Sequence, residues 1–229
     1  MKRSEVNAIM QQSAAFLQQM RFALPPFAYW PVDEWQRKGP ECREIAANQL
    51  GWDITDFGCD DFGRVGLVLF TLRNGTLAGL PAGGKVYAEK ALIVREGQKT
   101  PTHFHFHKME DIINRAGGTL VIKLWNSTAD GELADTNVVV KVDGAEMTVP
   151  AGGTVALKTG ESICLPQRLY HTFWAEQGQG AVLVGEVSSV NDDHVDNRFN
   201  PTVGRFSVID EDVAPLYLLQ GDYARYYRY

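Results

Sequence analysis

The spacing of the apolar residues changes along the chain. Over about the first fifty residues they recur at helical intervals, which predicts a helix with Ser4 as its N-cap, ending at Pro25-Pro26. A second helix is expected from about Glu41 to Leu50. The apolar positions that define the first helix are Val6, Ile9, Met10, Phe16, Leu17 and Met20.

From about Gly66 onward, apolar and polar residues alternate, and β-branched and aromatic residues become frequent. Turn sequences such as RNG, VDG, PAGG and EQGQG separate the segments. Many short strands of this kind are typical of an antiparallel sandwich or barrel. The predicted strands are 65–72, 85–96, 119–125, 136–142, 161–165, 170–176, 181–189 and 205–209.

These elements predict a single all-β domain over residues 1–229. We expect a helical cap over 1–60 and a β-barrel over about 65–210, because no linker separates the two parts. The tyrosine-rich tail, 211–229, is expected to pack on the barrel or on a dimer partner.

Composition narrows the classes of partner. The formal net charge is −6, and the 22 lysines and arginines form no basic stripe, so nucleic acid is not expected as a partner. Glutamines interrupt the N-terminal segment, and no apolar run has the roughly 18 residues that a membrane-spanning helix needs. Three unpaired cysteines, Cys42, Cys59 and Cys164, are typical of a reducing compartment. We therefore expect a cytoplasmic protein that does not bind membranes.

Three of the five histidines lie within five residues, at His103, His105 and His107. Residues two apart on a strand point to the same face, so His103 and His105 can reach one point inside a barrel. Imidazole nitrogen binds Zn, Mn, Fe, Co and Ni, and a carboxylate ligand shifts the preference toward Mn or Fe(II). The cluster predicts a site for a divalent metal ion.

Two segments resemble the signature motifs of the cupin superfamily. The first is Gly97-x5-His103-x-His105-x4-Glu110-x6-Gly117, and the second is Gly160-x5-Pro166-x-Arg168-x2-His171. In the second segment, Arg168 and Ala175 stand where the motif usually has glycine and asparagine. The resemblance implies a cupin fold, a double-stranded β-helix or jelly-roll barrel, with Glu110 and His171 as further metal ligands. Cupins commonly pair, which implies a homodimer.

A turn over about 106–109 is consistent with this ligand set. Glu110 has the wrong parity to share a face with His105 on one strand, and the turn would return it on the next strand opposite the histidines. Four ligands leave two positions of an octahedral ion open, as in catalytic sites.

Over most of its length the chain resembles the D-lyxose isomerase family of cupins. The resemblance rests on the helical cap and on the segments HFHFHKMEDIINRAGG and EVSSVNDDHVDNRF. It implies an aldose–ketose isomerase that interconverts D-lyxose and D-xylulose, with D-mannose and D-fructose as secondary substrates. It also implies one Mn²⁺ per subunit, with Fe, Co and Zn as alternatives. Such an isomerase must polarise two neighbouring sugar oxygens and move a proton between carbons.

Several charged residues stand on otherwise apolar faces or near the motif. Lys90 shares its strand face with Leu92 and Val94, and Glu186 shares its face with Val182 and Val184. Each has an ordinary alternative: an edge lysine with its amine in solvent, a buried ion pair, or a turn residue. The remaining candidates are Lys108 in the turn before Glu110, Asp193 in the polar segment NDDHVDNR, and Arg205.

The working assignment divides these residues by role. Lys108, Asp193 and Glu186 are expected to handle protons, through an enediol rather than a hydride shift. Lys90, Arg205 and His107 are expected to contact the sugar, although His107 could equally be exposed in its turn. A metal ion close to Lys108 would lower the pKa of its amine toward the range of proton transfer.

Two other functions are compatible with a metal-binding cupin, since one fold hosts many activities. An Fe(II) dioxygenase would use the same ligand set, but such enzymes usually have an apolar pocket, whereas this chain offers Lys90, Glu186 and Asp193. A non-catalytic sugar-binding cupin would bind ligand without turnover. The charged cavity favours the isomerase.

Overall fold

The computed structural model describes residues 1–76, 84–190 and 192–229. Within them, one long helix and three short ones lie mainly before and after the strands. The helices are α1 (Arg3–Gln19), α2 (Val32–Trp35), α3 (Arg43–Ala47) and α4 (Tyr223–Tyr226). Single turns of 3-10 helix cover Pro26–Tyr29, Pro40–Cys42 and Gln220–Asp222.

Thirteen strands within the described residues form two antiparallel sheets. The eight-stranded sheet has the order β1-β2-β3-β12-β5-β10-β7-β8, and the five-stranded sheet has the order β13-β4-β11-β6-β9. The strands are β1 (Gly51–Thr55), β2 (Leu67–Arg73), β3 (Tyr87–Val94), β4 (His103–His105), β5 (Glu110–Gly117), β6 (Leu120–Trp125), β7 (Val138–Val142), β8 (Ala145–Val149), β9 (Gly153–Leu157), β10 (Ser162–Leu165), β11 (Tyr170–Ala175), β12 (Val182–Ser189) and β13 (Asn197–Phe199).

The barrel interior is apolar over most of its length. Alternate residues of both sheets meet there, among them Leu92 of β3, Ile122 and Leu124 of β6, and Val184 of β12. Because side chains alternate along a strand, the same faces of β3 and β12 also carry Lys90 and Glu186. The expected all-β cupin barrel with an N-terminal helix is confirmed.

The first helix covers the outer face of the eight-stranded sheet. Val6 and Met10 of α1 pack in one cluster with Trp52 and Ile54 of β1. Since Trp52 and Ile54 face this cluster, the alternation of the strand turns Asp53 toward the barrel interior. Both faces of β1 are therefore buried.

Several predicted boundaries are wrong. The range 1–60, expected to be a helical cap, contains β1, which pairs with β2 along its whole length. The expected strand 205–209 is not a strand. The short strands β8, β9 and β13 were not predicted, and β4 and β5 were implied only by the argument that places His103, His105 and Glu110 on strands. The expected helix 41–50 consists of a 3-10 turn followed by α3.

The first helix begins at Arg3, with Lys2 as its N-cap, rather than at Ser4. The Ser4 backbone N–H and hydroxyl donate instead to the Asp212 carboxylate, at 2.9 and 2.6 Å. The side chain of Asp212, from the tail, therefore takes the place of an N-cap side chain.

The C-terminal tail packs on the cap and on β1 of the same chain. The Tyr223 hydroxyl donates to the Leu50 carbonyl at 2.8 Å, and the Tyr227 hydroxyl donates to the Gly39 carbonyl at 2.6 Å. Buried Arg3 binds both Glu211 and Asp222 at 2.7 Å. Across 1–76, 84–190 and 192–229, no helix combines the length and the apolar character required to traverse a bilayer.

Candidate metal centre and active site

Four predicted ligands converge between the two sheets. His103 and His105 lie on β4. His171 lies on the neighbouring strand β11 and is the cross-strand partner of His103. One nitrogen of each of these three histidines lies within 4.8 Å of the others. Glu110 begins β5, in the other sheet, and its Oε1 lies 3.1 Å from His171 Nε2 and 3.5 Å from His105 Nε2. The turn between β4 and β5 thus returns Glu110 to the histidines, as the sequence predicts.

Backbone carbonyls fix which ring nitrogen of two histidines carries a proton. His103 Nδ1 lies 2.8 Å from the Pro101 carbonyl, and His171 Nδ1 lies 3.0 Å from the Leu169 carbonyl. A carbonyl oxygen only accepts, so Nδ1 is the protonated nitrogen in both neutral rings. Their Nε2 lone pairs are therefore available as ligands, with the ring orientation held from behind.

The converging atoms fit a cation. Glu110 Oε1 and His171 Nε2 are both buried, and neither has a hydrogen-bond partner among the described residues, although they are 3.1 Å apart. Two acceptors that face each other in this way repel unless a cation lies between them. A nitrogen and oxygen donor set of this kind suits a divalent ion such as Mn²⁺, Fe²⁺, Co²⁺ or Zn²⁺.

The charge states of the ligands agree with that fit. Burial, together with the neighbouring His171 and His105, holds the pKa of His103 well below its ordinary value, so the ring is neutral. Burial alone would raise the pKa of Glu110, but Lys108 and His105 hold it well below its ordinary value. Neutral imidazole and ionised carboxylate are the forms that bind metal.

Lys108 connects the predicted ligand Glu110 to a second carboxylate. Its Nζ lies 2.7 Å from Glu110 Oε2 and 2.8 Å from Glu186 Oε1. Burial alone would lower the pKa of Lys108, but Glu110, Glu186 and Asp193 together raise it. The expectation from the sequence considered only the metal ion, which would lower the pKa of Lys108. The three carboxylates around Lys108 were not recognised there, and they act in the opposite direction.

Further side chains of alternating charge continue from the Lys108–Glu186 pair. Glu186 lies directly opposite Lys90 in the β12–β3 register, with Lys90 Nζ 3.4 Å from Glu186 Oε1 and 3.7 Å from Asp193 Oδ2. Arg205 Nη2 lies 2.6 Å from Asp193 Oδ2 and 2.7 Å from Asp53 Oδ2. Burial alone would raise the pKa of Glu186, but the two lysines lower it.

Comparisons with known proteins show the family of the chain. The family model described as D-lyxose isomerase matches residues 1–223. The chain belongs to this family. It is 50% identical over 227 residues to the D-lyxose/D-mannose isomerase of Serratia proteamaculans, covering 99% of each chain. It is 47% identical to the D-lyxose/D-mannose isomerase of Escherichia coli O157:H7, covering 99% of this chain and 100% of that one.

Solved structures with low sequence identity share the fold. The L-ribose isomerase of Cellulomonas parahominis is 17% identical, with a TM-score of 0.60 over 92% of this chain and 98% of the other. The L-ribose isomerase of Acinetobacter sp. DL28 is 15% identical, with a TM-score of 0.61 over the same shares. These structures support the cupin fold of this chain.

Nine of the ten predicted site residues line one cavity at the metal centre. They are Lys90, His103, His105, Lys108, Glu110, His171, Glu186, Asp193 and Arg205. His107 does not line the cavity, because it lies in the β4–β5 turn with its side chain exposed. Asn191, the first residue of the segment NDDHVDNR, lies outside the described residues.

Two residues near the site were not predicted. Asp196 is buried and accepts the backbone N–H groups of His107 and Lys108, at 2.7 and 3.0 Å, so it holds the turn that carries Lys108. Asp53 contacts Arg205 from β1. A charged residue in the apolar segment GWDIT was the available signal for Asp53, but it required β1 to be recognised as a strand.

The turn before β11 retains glycine-like geometry without glycine. Arg168, at a motif position that usually carries glycine, has φ +62°, in the left-handed region. Its backbone N–H donates to the His105 carbonyl at 2.8 Å, and its guanidinium donates to the carbonyls of Thr128 and Ala129. These contacts hold the turn next to β4, which carries His103 and His105.

Proposed function

We propose that this protein is a metal-dependent aldose–ketose isomerase that converts D-lyxose to D-xylulose and also acts on D-mannose and D-fructose. One observation carries the proposal: the converging ligand atoms of Glu110 and the histidines lie directly beside the buried Lys108–Glu186 pair. The names of the two relatives that are about half identical support these sugars as substrates.

The reaction moves two hydrogens of the aldose. One passes from C2 to C1, and the other passes from the oxygen on C2 to the oxygen on C1. A divalent ion at His103, His105, Glu110 and His171 would supply electrophilic polarisation of the sugar oxygens. We propose Mn²⁺ as the ion, as the family resemblance implies. The homodimer and the cytoplasmic location remain predictions from the sequence.

Within the proposal, Glu186 removes the C2 proton, which exchanges with solvent before Glu186 delivers a proton to C1. It is the buried carboxylate that points into the cavity without being a metal ligand and is closest to Lys108. Lys108 donates to one sugar oxygen and accepts the proton back from the other, because it lies beside the ligand Glu110. The intermediate is the enediol.

The other charged residues bind the sugar in this proposal. Asp193 accepts from a hydroxyl and remains a candidate for a second proton-transferring group, because it lies between Lys90 and Arg205. Lys90 and Arg205 donate to hydroxyls. These groups are polar, which suits a polyol and not the apolar substrates of cupin dioxygenases.

The test combines metal restoration with solvent isotope. Chelated protein is assayed on D-lyxose and D-mannose before and after Mn²⁺ is added, in D₂O, with oxygen uptake recorded. We expect activity only after restoration, deuterium in the ketose product, and no oxygen uptake. Glu186→Gln should abolish turnover, whereas Glu176→Gln, an exposed glutamate on another surface, should not. Activity that survives chelation, absence of solvent deuterium, or coupled oxygen uptake would each contradict the proposal.

A further inference from the structure

Asp53 is a buried carboxylate that the proposed chemistry does not use. It lies at the centre of β1, with 5% of its surface exposed, and its neighbours Trp52 and Ile54 face the cap. Its side chain therefore faces the barrel, where its cross-strand partner is Leu69. Leu69 lines the same cavity as the metal ligands, so Asp53 approaches the active site from a strand outside both metal-binding motifs.

Asp53 and Asp193 hold the same nitrogen of Arg205. Nη2 lies 2.7 Å from Asp53 Oδ2 in an ion pair and 2.6 Å from Asp193 Oδ2 in a hydrogen bond. Nη1 is buried and has no hydrogen-bond partner in the part of the chain that the structure describes. Because the guanidinium is planar and rigid, fixing Nη2 between two carboxylates fixes the direction of Nη1.

A buried donor without a partner is costly unless a ligand uses it. Arg205 lines the cavity, and a series of charged groups connects it to Glu110. Those groups are Asp193, Lys90, Glu186 and Lys108. Arg205 itself pairs with Asp193 and Asp53 and with none of the predicted metal ligands in the described residues, so a sugar hydroxyl that accepts from Nη1 would be one that the ion does not bind.

Fold stability does not explain why a carboxylate is buried at position 53. Burial raises the pKa of the Asp53 carboxyl, and nearby Arg205 only partly opposes this. Buried ion pairs can often be replaced by apolar groups with no loss of stability, and the cross-strand partner of Asp53 is the apolar Leu69. Arg205 would keep Asp193 as a partner if Asp53 were neutral.

We propose that Asp53 is a positioning residue: it orients Arg205 so that Nη1 donates to a sugar hydroxyl that the metal ion does not bind. This inference rests on the proposed isomerase function. The contact is the same before and during the reaction, so its loss should raise KM and leave kcat nearly unchanged.

The test compares Asp53→Asn with Asp56→Asn in the Mn²⁺-loaded protein. Asp56 is also buried at the end of β1, but it accepts from Ser207 and Gly58 and does not contact Arg205. For Asp53→Asn we expect KM for D-lyxose and D-mannose to rise about tenfold, the loss typical of a hydrogen bond to a charged group. Its kcat, metal content and thermal midpoint should match wild type, and Asp56→Asn should keep the wild-type KM.

A double variant tests whether Asp53 acts through Arg205. In an Arg205→Met background, Asp53→Asn should raise KM no further, because the two changes remove one interaction. Additive effects, or an Asp53→Asn variant with wild-type KM, would overturn the inference. Asp53→Ser is the second variant if Asp53→Asn does not fold.

A crystal structure of Asp53→Asn separates this inference from the proposed function. We expect the Arg205 guanidinium to keep Asp193 as a partner but to rotate, so that Nη1 no longer points in its wild-type direction. An unmoved guanidinium would overturn the inference even with isomerase activity intact. Wild-type protein that turns over neither sugar would overturn the proposed function, while the position of Arg205 would still decide whether Asp53 positions it.

Discussion

The Lys108 ammonium donates to the Glu186 carboxylate at 2.8 Å inside the barrel, where both side chains are buried. Glu186 comes from β12, and Lys108 comes from the turn that follows two metal ligands. The same ammonium is 2.7 Å from Glu110. A single cation therefore joins the metal centre to the carboxylate proposed as the base, and this arrangement leads to the first prediction.

Replacing Lys108 with methionine should separate catalysis from metal binding. Lys108→Met removes the group that moves the oxygen-bound proton, so kcat should fall by about 10² to 10⁴. Mn²⁺ should still bind, since Glu110 loses a competing cation. Steady-state kinetics on D-lyxose and metal analysis of the purified variant measure the two effects.

Lys99→Met is the matched control, because Lys99 is exposed and packs over Trp174 away from the metal centre. It should keep wild-type kcat. A Lys108→Met variant that turns over at the wild-type rate would contradict the proton-moving role.

The residues brought together at the metal centre were largely predictable from the sequence. His103 and His105 share a strand face, and Glu110 required only the turn that the motif spacing implies. Lys90 and Glu186 were identifiable as single charges on apolar faces, and the structure pairs them across two strands. Their mutual distance was not predictable, since β3 and β12 are far apart in sequence.

Strands β1, β4 and β8 left no periodic signal in the sequence. β1 is covered by the cap on one face and the barrel on the other, so all five of its residues are buried and no alternation marks the strand. Asp53 could not be assigned to the site for that reason. β4 has three residues, too few for a period, and β8 has four exposed residues out of five.

Metal binding should stabilise the fold and depend on His171. The ligands come from both sheets, so a bound ion links them. Saturating Mn²⁺ at about 100 times its Kd would stabilise the folded state by about 2.7 kcal/mol. We expect chelated wild-type protein to gain thermal stability on adding Mn²⁺, and His171→Gln to gain little, as measured by differential scanning fluorimetry.

His194→Gln provides the comparison for this experiment. His194 is exposed and contacts Phe206, outside the cavity of the metal centre. It should show the full wild-type shift. The assigned ligand set would be refuted by an equal Mn²⁺ shift in His171→Gln.

The Arg3–Glu211 ion pair should make stability depend on pH. Hydrogen bonds from Arg3, at 2.7 and 2.8 Å, lower the pKa of the Glu211 carboxyl. A carboxyl group whose pKa is lowered by folding stabilises the protein at pH values above the ordinary glutamate pKa. This stabilisation is lost as the pH falls through the pKa of the folded state. Wild type should therefore exceed Glu211→Gln in thermal midpoint at neutral pH, and the difference should close below about pH 4.5.

Glu176→Gln is the control for the pH series. Glu176 is an exposed glutamate without an arginine contact in the described part of the chain, so its variant should follow the wild-type curve at every pH. A difference between wild type and Glu211→Gln that is constant from pH 7 to pH 3 would argue against the ion pair as its cause.

Arg168 gives a prediction about the turn beside the metal centre. A non-glycine residue in the left-handed region costs about 1–2 kcal/mol. In the wild type, hydrogen bonds from the guanidinium to Thr128 and Ala129 offset that cost. Arg168→Ala keeps the unfavourable φ and loses the hydrogen bonds, whereas Arg168→Gly loses both. We therefore expect the alanine variant to be less stable than the glycine variant by about 1 kcal/mol in urea unfolding.

At the neighbouring residue Gln167, the glycine and alanine variants should show the reverse order of stability. Gln167 is not among the residues with positive φ, so glycine there only adds flexibility to the unfolded chain. Gln167→Gly should consequently be less stable than Gln167→Ala. If alanine is the more stable substitution at both positions, the left-handed strain at Arg168 does not contribute to stability, and the guanidinium contacts alone explain why arginine replaces glycine in this turn.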